Sequence, residues 1–195
     1  RDNFIYHEMM AHPALFTHTN PKNVVIVGGG DCGTLREVAK HTCLQKIIQV
    51  EIDERVTQLS KKYFPVLCEA NNDSRVEFVF ENAVEWVHKA ESNSVDIIIV
   101  DSTDPIGLAE GLFSTPFYQA CIHTLKSDGL LIQQSESPLV HLDSIIKPMH
   151  ACMRNAGFVN TKLIYFPLPS YPVGWWTATM ASKTDLISFG REEEV

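Results

Sequence analysis

The chain is poor in positive charge and lacks several devices that would announce a function. Lysine and arginine together number 16 against 24 aspartates and glutamates, a formal net charge of −8, and the basic residues form no run. Nucleic acid and anionic membranes are bound by clustered cations that displace counterions, so this balance argues against both as partners and permits cationic ligands. Five cysteines, Cys32, Cys43, Cys68, Cys121 and Cys152, stand far apart without a CxxC pair. Neither a disulfide framework nor a zinc site is expected, and a reducing cytoplasm is the expected location. No pair of histidines has the spacing that sets two metal ligands on one helix face, so no metal is expected. No apolar run reaches the roughly 20 residues that span a bilayer, and no signal-peptide or lipidation pattern is seen. Repeats and low-complexity tracts are missing too, apart from Glu192-Glu193-Glu194, read as a solvated tail.

What is present is a strand, a glycine turn and a helix. A chain of 195 residues with 45% hydrophobic content buries one sizeable core, which predicts a single domain over 1–195. Val24-Val25-Ile26-Val27 reads as a buried parallel strand, broken by Gly28-Gly29-Gly30-Asp31-Cys32-Gly33 before a helix opens near Thr34. Gly28, Gly30 and Gly33 match the spacing of the nucleotide-binding fingerprint, where absent side chains let backbone approach a ligand and helix pack on strand. A second apolar run, 47–50, ends in Glu51-Ile52-Asp53, at the distance where an acid accepts hydrogen bonds from ribose. Glu51 is the ribose candidate, and Asp53 is read as a helix-capping or solvated acid after the strand. Asp31 inside the glycine loop would oppose a pyrophosphate at the helix N-terminus, so the loop suits a nucleoside bearing a cation, such as an S-adenosyl sulfonium or ammonium. Asp31 also suits an Asx turn that merely holds the loop, and both readings stand.

Strands and helices then alternate. Strands are expected at 47–51, 76–80, 95–100, 129–134, 158–165 and 176–181, with helices at 34–41, 54–63, 83–90, 115–126 and 142–156. Such alternation predicts an α/β, doubly wound, mostly parallel sheet with ligands at its C-terminal strand ends. There, strand 95–100 finishes in Asp101-Ser102-Thr103-Asp104-Pro105, two carboxylates three residues apart on a turn. Turns rich in Asp, Ser and Pro are common, but the position at a strand end of the binding edge favours function. The opening stretch Phe4–Met10 is apolar enough to need covering, and an upstream segment is expected to be absent from the chain.

Gly-Gly-Gly-Asp at 28–31, Glu-Ile-Asp-Glu at 51–54, Asp-Ser-Thr-Asp-Pro at 101–105, Tyr-His-Glu-Met at 6–9 and Tyr-Pro-Val-Gly-Trp-Trp at 171–176 together resemble the spermidine synthases, the putrescine aminopropyltransferases. The similarity covers nearly the whole chain. It implies a seven-stranded sheet of the class I methyltransferase (Rossmann-like) type, without the family's N-terminal β-domain. It also implies transfer of the aminopropyl group of decarboxylated S-adenosylmethionine, a co-substrate and no prosthetic group, to putrescine, giving spermidine and methylthioadenosine. By the same resemblance Asp31 holds the aminopropyl ammonium, Glu51 the ribose hydroxyls, Asn82 with Ala83 the adenine, and His7, Gly28, Gly30 and Ser102 line the donor site. Asp101 is the general base assisted by Tyr6, while Asp104, Gln134, Glu136 and Tyr171 form the diamine site. The family's habit implies a homo-oligomer, a dimer or higher.

The chemistry sets a requirement. A primary ammonium has a pKa near ~10.4, so at pH 7 roughly one molecule in a few thousand is the nucleophilic amine. An ordinary Asp near ~3.9 is a weak base for that proton, so Asp101 is expected in a water-poor pocket that lowers the amine's pKa and raises its own. Three positions depart from the family pattern: Cys32 stands where Gly is usual, Asn82 where Asp is usual, and Leu108 where Pro is usual in a segment expected to close over the site. Cys32 would be costly if φ is positive there. Competing readings are an S-adenosylmethionine-dependent small-molecule N-methyltransferase, whose carboxylated donor Asp31 would repel, a nicotinamide dehydrogenase, weaker for the pyrophosphate reason, and a non-catalytic nucleoside-binding relative or fragment.

Overall fold

Alternate residues of the first strand enter different cores: Val24 and Ile26 pack on one face of the sheet, Val25 and Val27 on the other. This is the pleat of a strand buried on both sides, each such side chain contributing about 1.5–3 kcal/mol of burial. The structure, a computed structural model, describes residues 2–184. The acidic run 192–194 lies outside the described residues. Seven strands, β1 (Asn23–Gly28), β2 (Lys46–Glu51), β3 (Val76–Phe80), β4 (Val95–Asp101), β5 (Leu125–Gln134), β6 (Asn160–Pro167) and β7 (Trp175–Ser182), lie in the order β3-β2-β1-β4-β5-β7-β6. Only β7 runs antiparallel to its neighbours, so the sheet is mostly parallel, as the alternation predicts.

Seven α-helices accompany it: α1 (Asn3–Thr17), α2 (Gly33–Ala39), α3 (Glu54–Tyr63), α4 (Ala83–Lys89), α5 (Thr115–Thr124), α6 (Pro138–His141) and α7 (Lys147–Ala156). Residues of α1 and α2 close one face, and those of α4, α5 and α7 the other. No helix among the described residues is long and apolar enough to cross a membrane.

Several boundaries differ from the sequence reading. The apolar opening is a helix of its own: Met10, Ala11, Ala14 and Leu15 recur at helical spacing and bury against the sheet, with Pro13 inside. β5 begins at Leu125 and not at 129, because Leu125 pairs with Val95 before a register irregularity on the way to Ile97–Leu130. The stretch 142–156 is no single helix. Pro148 has no N–H to continue the ladder, and a π-turn over Leu142–Ile146 joins α6 to α7. β6 starts at Asn160 and not at 158, since Gly157 turns left-handed at φ 116 and Phe158 N–H bonds back to Met153 O, closing α7.

The strand order reverses between β1 and β4, because β1 leads to β2 on one side while β4 pairs on the other. A crevice opens at such a switch point. The register sets Gly28 directly opposite Asp101 there, so the glycine loop and the Asp-Ser-Thr-Asp turn leave the sheet side by side.

Candidate active site

Glycine is required at the head of the loop. Gly28 has φ 80, and a Cβ on it would lie 2.2 Å from the Asp101 carbonyl oxygen. Gly29 N–H donates to that same oxygen at 2.8 Å, tying loop to turn. Gly30 leaves room for Glu51, whose Oε2 would stand 2.7 Å from an added Cβ. At Gly33 the neighbour is not a strand, as the fingerprint suggests, but the His7 ring of α1, which a Cβ would meet at 2.1 Å. Cys32 does adopt φ 68, at a cost of about 1–2 kcal/mol for a residue with Cβ. Its side chain is fully buried and its sulfur accepts from Asn71 Nδ2 at 3.4 Å; burial pushes the thiol up to about 12, which keeps it protonated.

Asp31 sits inside this loop with two partners. His7 Nε2 lies 3.0 Å from its Oδ2, and Gly33 N–H donates to Oδ1 at 2.9 Å. Burial pushes the Asp31 carboxyl up, but the His7 hydrogen bond and charge, with the Gly33 N–H, outweigh it and hold the group below the usual carboxylate range. The Gly33 contact is the Asx turn, so the structural reading of Asp31 is realised, and a carboxylate oxygen still faces the cavity wall.

Asp101 is the opposite case. Tyr6 O–H donates to Oδ1 at 2.5 Å and Thr34 O–H to Oδ2 at 2.6 Å. Burial, then the nearby charge of Asp31, push its carboxyl up against those two hydrogen bonds. Tyr6 is itself pushed well up by burial and by Asp101, so it stays a donor. α1 thus delivers Tyr6 to Asp101 and His7 to Asp31 from adjacent residues.

On the β2 side, Glu51 is buried and accepts from Asp53 N–H at 3.0 Å, while Asp53 caps α3 by accepting from Arg55 N–H. Asn82 caps α4 through Oδ1, which accepts from Val84 N–H at 2.9 Å, so its carbonyl oxygen is already engaged and retains one further lone pair for a ligand. Ala83 and Ser102 complete this wall. On the β5 side, Asp104, Gln134 and Tyr171 line the cavity, Tyr171 leaning on Trp176 with ring centroids 4.5 Å apart. Glu136 is not on the wall. It is buried behind Gln134, whose Nε2 donates to its Oε1 at 3.2 Å, and within hydrogen-bonding reach of Asp104.

Tyr6, His7, Asp31, Glu51, Asn82, Asp101, Asp104, Gln134 and Tyr171 all line one cavity of about 960 Å³. Its wall includes the carboxylates of Asp31, Glu51, Asp53, Asp101 and Asp104 and, among the described residues, neither Lys nor Arg. Ile106 and Leu108, both about three-quarters exposed, stand at its mouth on the 3₁₀ segment that follows Asp104. Two contributors escape the sequence reading. Thr34, read only as a helix start, orients Asp101. Gln49, a polar residue inside the apolar β2 run, donates Nε2 to the carbonyls of Gly28 and Gly29 at 3.1 and 2.6 Å, bracing the loop from below; its polarity in a buried strand is the signal that could have found it. Away from the cavity, His18, Asp96 and Asp128 bring possible metal ligands together, but Lys126 Nζ already pairs with Asp96 at 2.9 Å.

Known proteins align with this arrangement. The family model described as the spermine/spermidine synthase domain matches residues 3–190. A polyamine aminopropyltransferase of Thioalkalivibrio sulfidiphilus is 60% identical over 194 residues, covering all of this chain and 69% of the relative. One from Methylococcus capsulatus is 58% identical over 97% of this chain and 66% of its own length. Among solved structures, a spermidine synthase in complex with the transition-state analogue AdoDATO superposes with a TM-score of 0.90 at 41% identity, and the Thermotoga maritima spermidine synthase with 0.88 at 41%, each covering 96% of this chain and 62% of the solved one. The chain therefore spans about two thirds of the length of the proteins it matches. With a matching domain over almost its full extent and relatives about 60% identical, the chain belongs to the spermine/spermidine synthase family.

Proposed function

We propose that this chain is a catalytic domain that transfers the aminopropyl group of decarboxylated S-adenosylmethionine to putrescine, yielding spermidine and methylthioadenosine. The observation that carries the reading is the charge of the wall: Asp31, Glu51, Asp53, Asp101 and Asp104, unopposed by Lys or Arg among the described residues, surround the space where two dicationic substrates must meet. A donor with its own carboxylate, as in methyl transfer, would be repelled by Asp31. A pyrophosphate would meet the same repulsion.

In this reading Asp31, kept ionised by His7 and Gly33, holds the aminopropyl ammonium, and Glu51 accepts from the ribose. Asp104 draws the distal ammonium of putrescine to the β5 side. The near ammonium then loses a proton to Asp101, whose raised carboxyl is a better base than an exposed aspartate. Tyr6 and Thr34 fix the carboxylate plane, leaving lone pairs free for that proton. The neutral nitrogen attacks the carbon beside sulfur in line; the C–S bond breaks, its electron pair stays on sulfur, and the sulfonium charge is lost. Cytoplasmic location and a homo-oligomer form part of the same proposal, supported by family membership alone.

The test offers putrescine with decarboxylated S-adenosylmethionine and, in a competing assay, with S-adenosylmethionine. Spermidine from the first donor, lost in Asp101→Asn, supports the proposal. Methylated amine from the second moves the chain to the methyltransferases, and binding of methylthioadenosine without any product makes it a nucleoside-binding relative.

A further inference from the structure

Behind the diamine side of the cavity lies a group that the reaction described above does not use. His141, the last residue of α6, turns Nδ1 toward Glu136, with 3.6 Å between Nδ1 and Oε2. That nitrogen is buried and has no hydrogen-bond partner among the described residues, whereas the side chain as a whole is about one-third exposed. Glu136 itself is 1% exposed and sits at φ 65, a backbone conformation costly for a side-chain-bearing residue and characteristic of functional positions. Thr177 O–H holds its carbonyl at 2.8 Å, and the Gln134 amide brackets it from both sides through Oε1 and the backbone N–H.

We propose that His141 is a positioning residue for diamine capture, accepting on Nδ1 the proton that Glu136 shares with Asp104 when an ammonium group enters beside Asp104. The inference rests on the aminopropyltransferase reading. Glu136 is pushed up to about 7 by burial first and then by the neighbouring Asp104, so near neutral pH it holds a proton. An ammonium is best held by two carboxylates. For both to ionise, the O–H bond of Glu136 must break, and the imidazole offers the nearest site for the new N–H bond. The titratable groups that face Glu136 are Asp104 from the turn after β4, His141 from α6 and Tyr171 from the turn before β7, whose own hydroxyl is raised partly by Asp104 and Glu136. No Lys or Arg shares an ion pair with Glu136 among the described residues, and the only basic side chain set against it there is that of His141.

The experiment is calorimetric titration of putrescine into the full chain saturated with methylthioadenosine, at pH 6.5 in two buffers of different ionisation enthalpy, with KM and kcat measured alongside. The wild type is expected to bind putrescine with little proton release, because the proton is kept on His141. In His141→Gln it has to leave to buffer, so release rises toward one proton per amine and the KM for putrescine rises about tenfold, with kcat within twofold and the gap closing by pH 8.5. Glu136→Gln has no shared proton to move, so adding His141→Gln to it is expected to change neither the proton count nor its pH dependence. Equal proton release in wild type and His141→Gln overturns the inference, as does a loss of kcat at unchanged KM. A wild type that binds methylthioadenosine but no putrescine overturns the aminopropyltransferase reading first, and this inference with it.

Discussion

The two halves of the cavity use the same residue type in opposite ways. In the glycine-loop half, Asp31 is partly buried yet held below the ordinary carboxylate range, because the His7 hydrogen bond and charge and the Gly33 N–H outweigh burial. In the half formed by the ends of β4 and β5, Asp101 and Glu136 are raised, the first by burial and Asp31, the second by burial and Asp104. All three carboxyls accept hydrogen bonds; at Asp31 these and the charge of His7 outweigh burial, whereas at Asp101 and Glu136 burial and a neighbouring carboxylate outweigh the donors. The backbone follows the same division. The loop half is braced by Gln49 and Gly29 N–H, while the exposed Ile106 and Leu108 stand at the mouth of the other; each half carries one non-glycine residue in the left-handed region, Cys32 and Glu136.

The largest effect that would sharpen this contrast is expected at Asp101. Replacing it with Asn keeps the acceptor for Tyr6 but removes the base, and kcat should fall about 10²–10⁴-fold in the aminopropyl-transfer assay. A fall under tenfold would break the contrast, since Asp101 would then be no more than a charge like Asp31. Paired variants separate the halves next: Asp31→Asn should raise the KM for the decarboxylated donor by about 30-fold or more while sparing that for putrescine, and Asp104→Asn should do the reverse, as loss of one partner of a charge pair costs about 2 kcal/mol or more.

Stability against pH reads the raised half directly. Glu136 binds its proton more tightly in the folded state than in the unfolded chain, so between its ordinary pKa and about 7 the native form holds more protons and stability falls as pH rises. Glu136→Gln should flatten that fall and be more stable than wild type at pH 8 by up to about 3 kcal/mol, measured by denaturant unfolding at pH 5 and pH 8. Asp31 has the opposite sign: its lowered carboxyl adds stability above the unfolded pKa that is lost as pH falls through the folded one, so Asp31→Asn should reduce the acid sensitivity. The smallest effect is expected at Leu108, the second residue of the 3₁₀ segment Gly107–Phe113. A residue in the first turn of a 3₁₀ segment takes a φ close to that of proline, so Leu108→Pro should stabilise by about 0.4–1 kcal/mol through the unfolded chain, seen as a slightly higher Tm with kcat nearly unchanged.

The sequence by itself determined the parallel sheet, the glycine loop and the strand-end carboxylates, because each is written in neighbouring residues: a β-branched run, a glycine spacing, an acid at the end of a strand. The cost of a Cβ at Cys32 is conditional on a positive φ, which the fold supplies, and Asp53 takes the capping role that is one of its two bland readings. The sequence left α1 without an assignment, since an apolar opening with Pro13 inside carries no clear helix signal, and with α1 went the sight of how Tyr6 and His7 reach two different aspartates. Thr34, Gln49 and His141 were equally hidden. Their partners lie 67, 20 or 21, and 5 residues away in the chain, and none of these pairs belongs to a local motif. Only the tertiary structure decided which carboxylates stay charged and which accept a proton, because burial and partners, and not residue type, set the balance between the two forms.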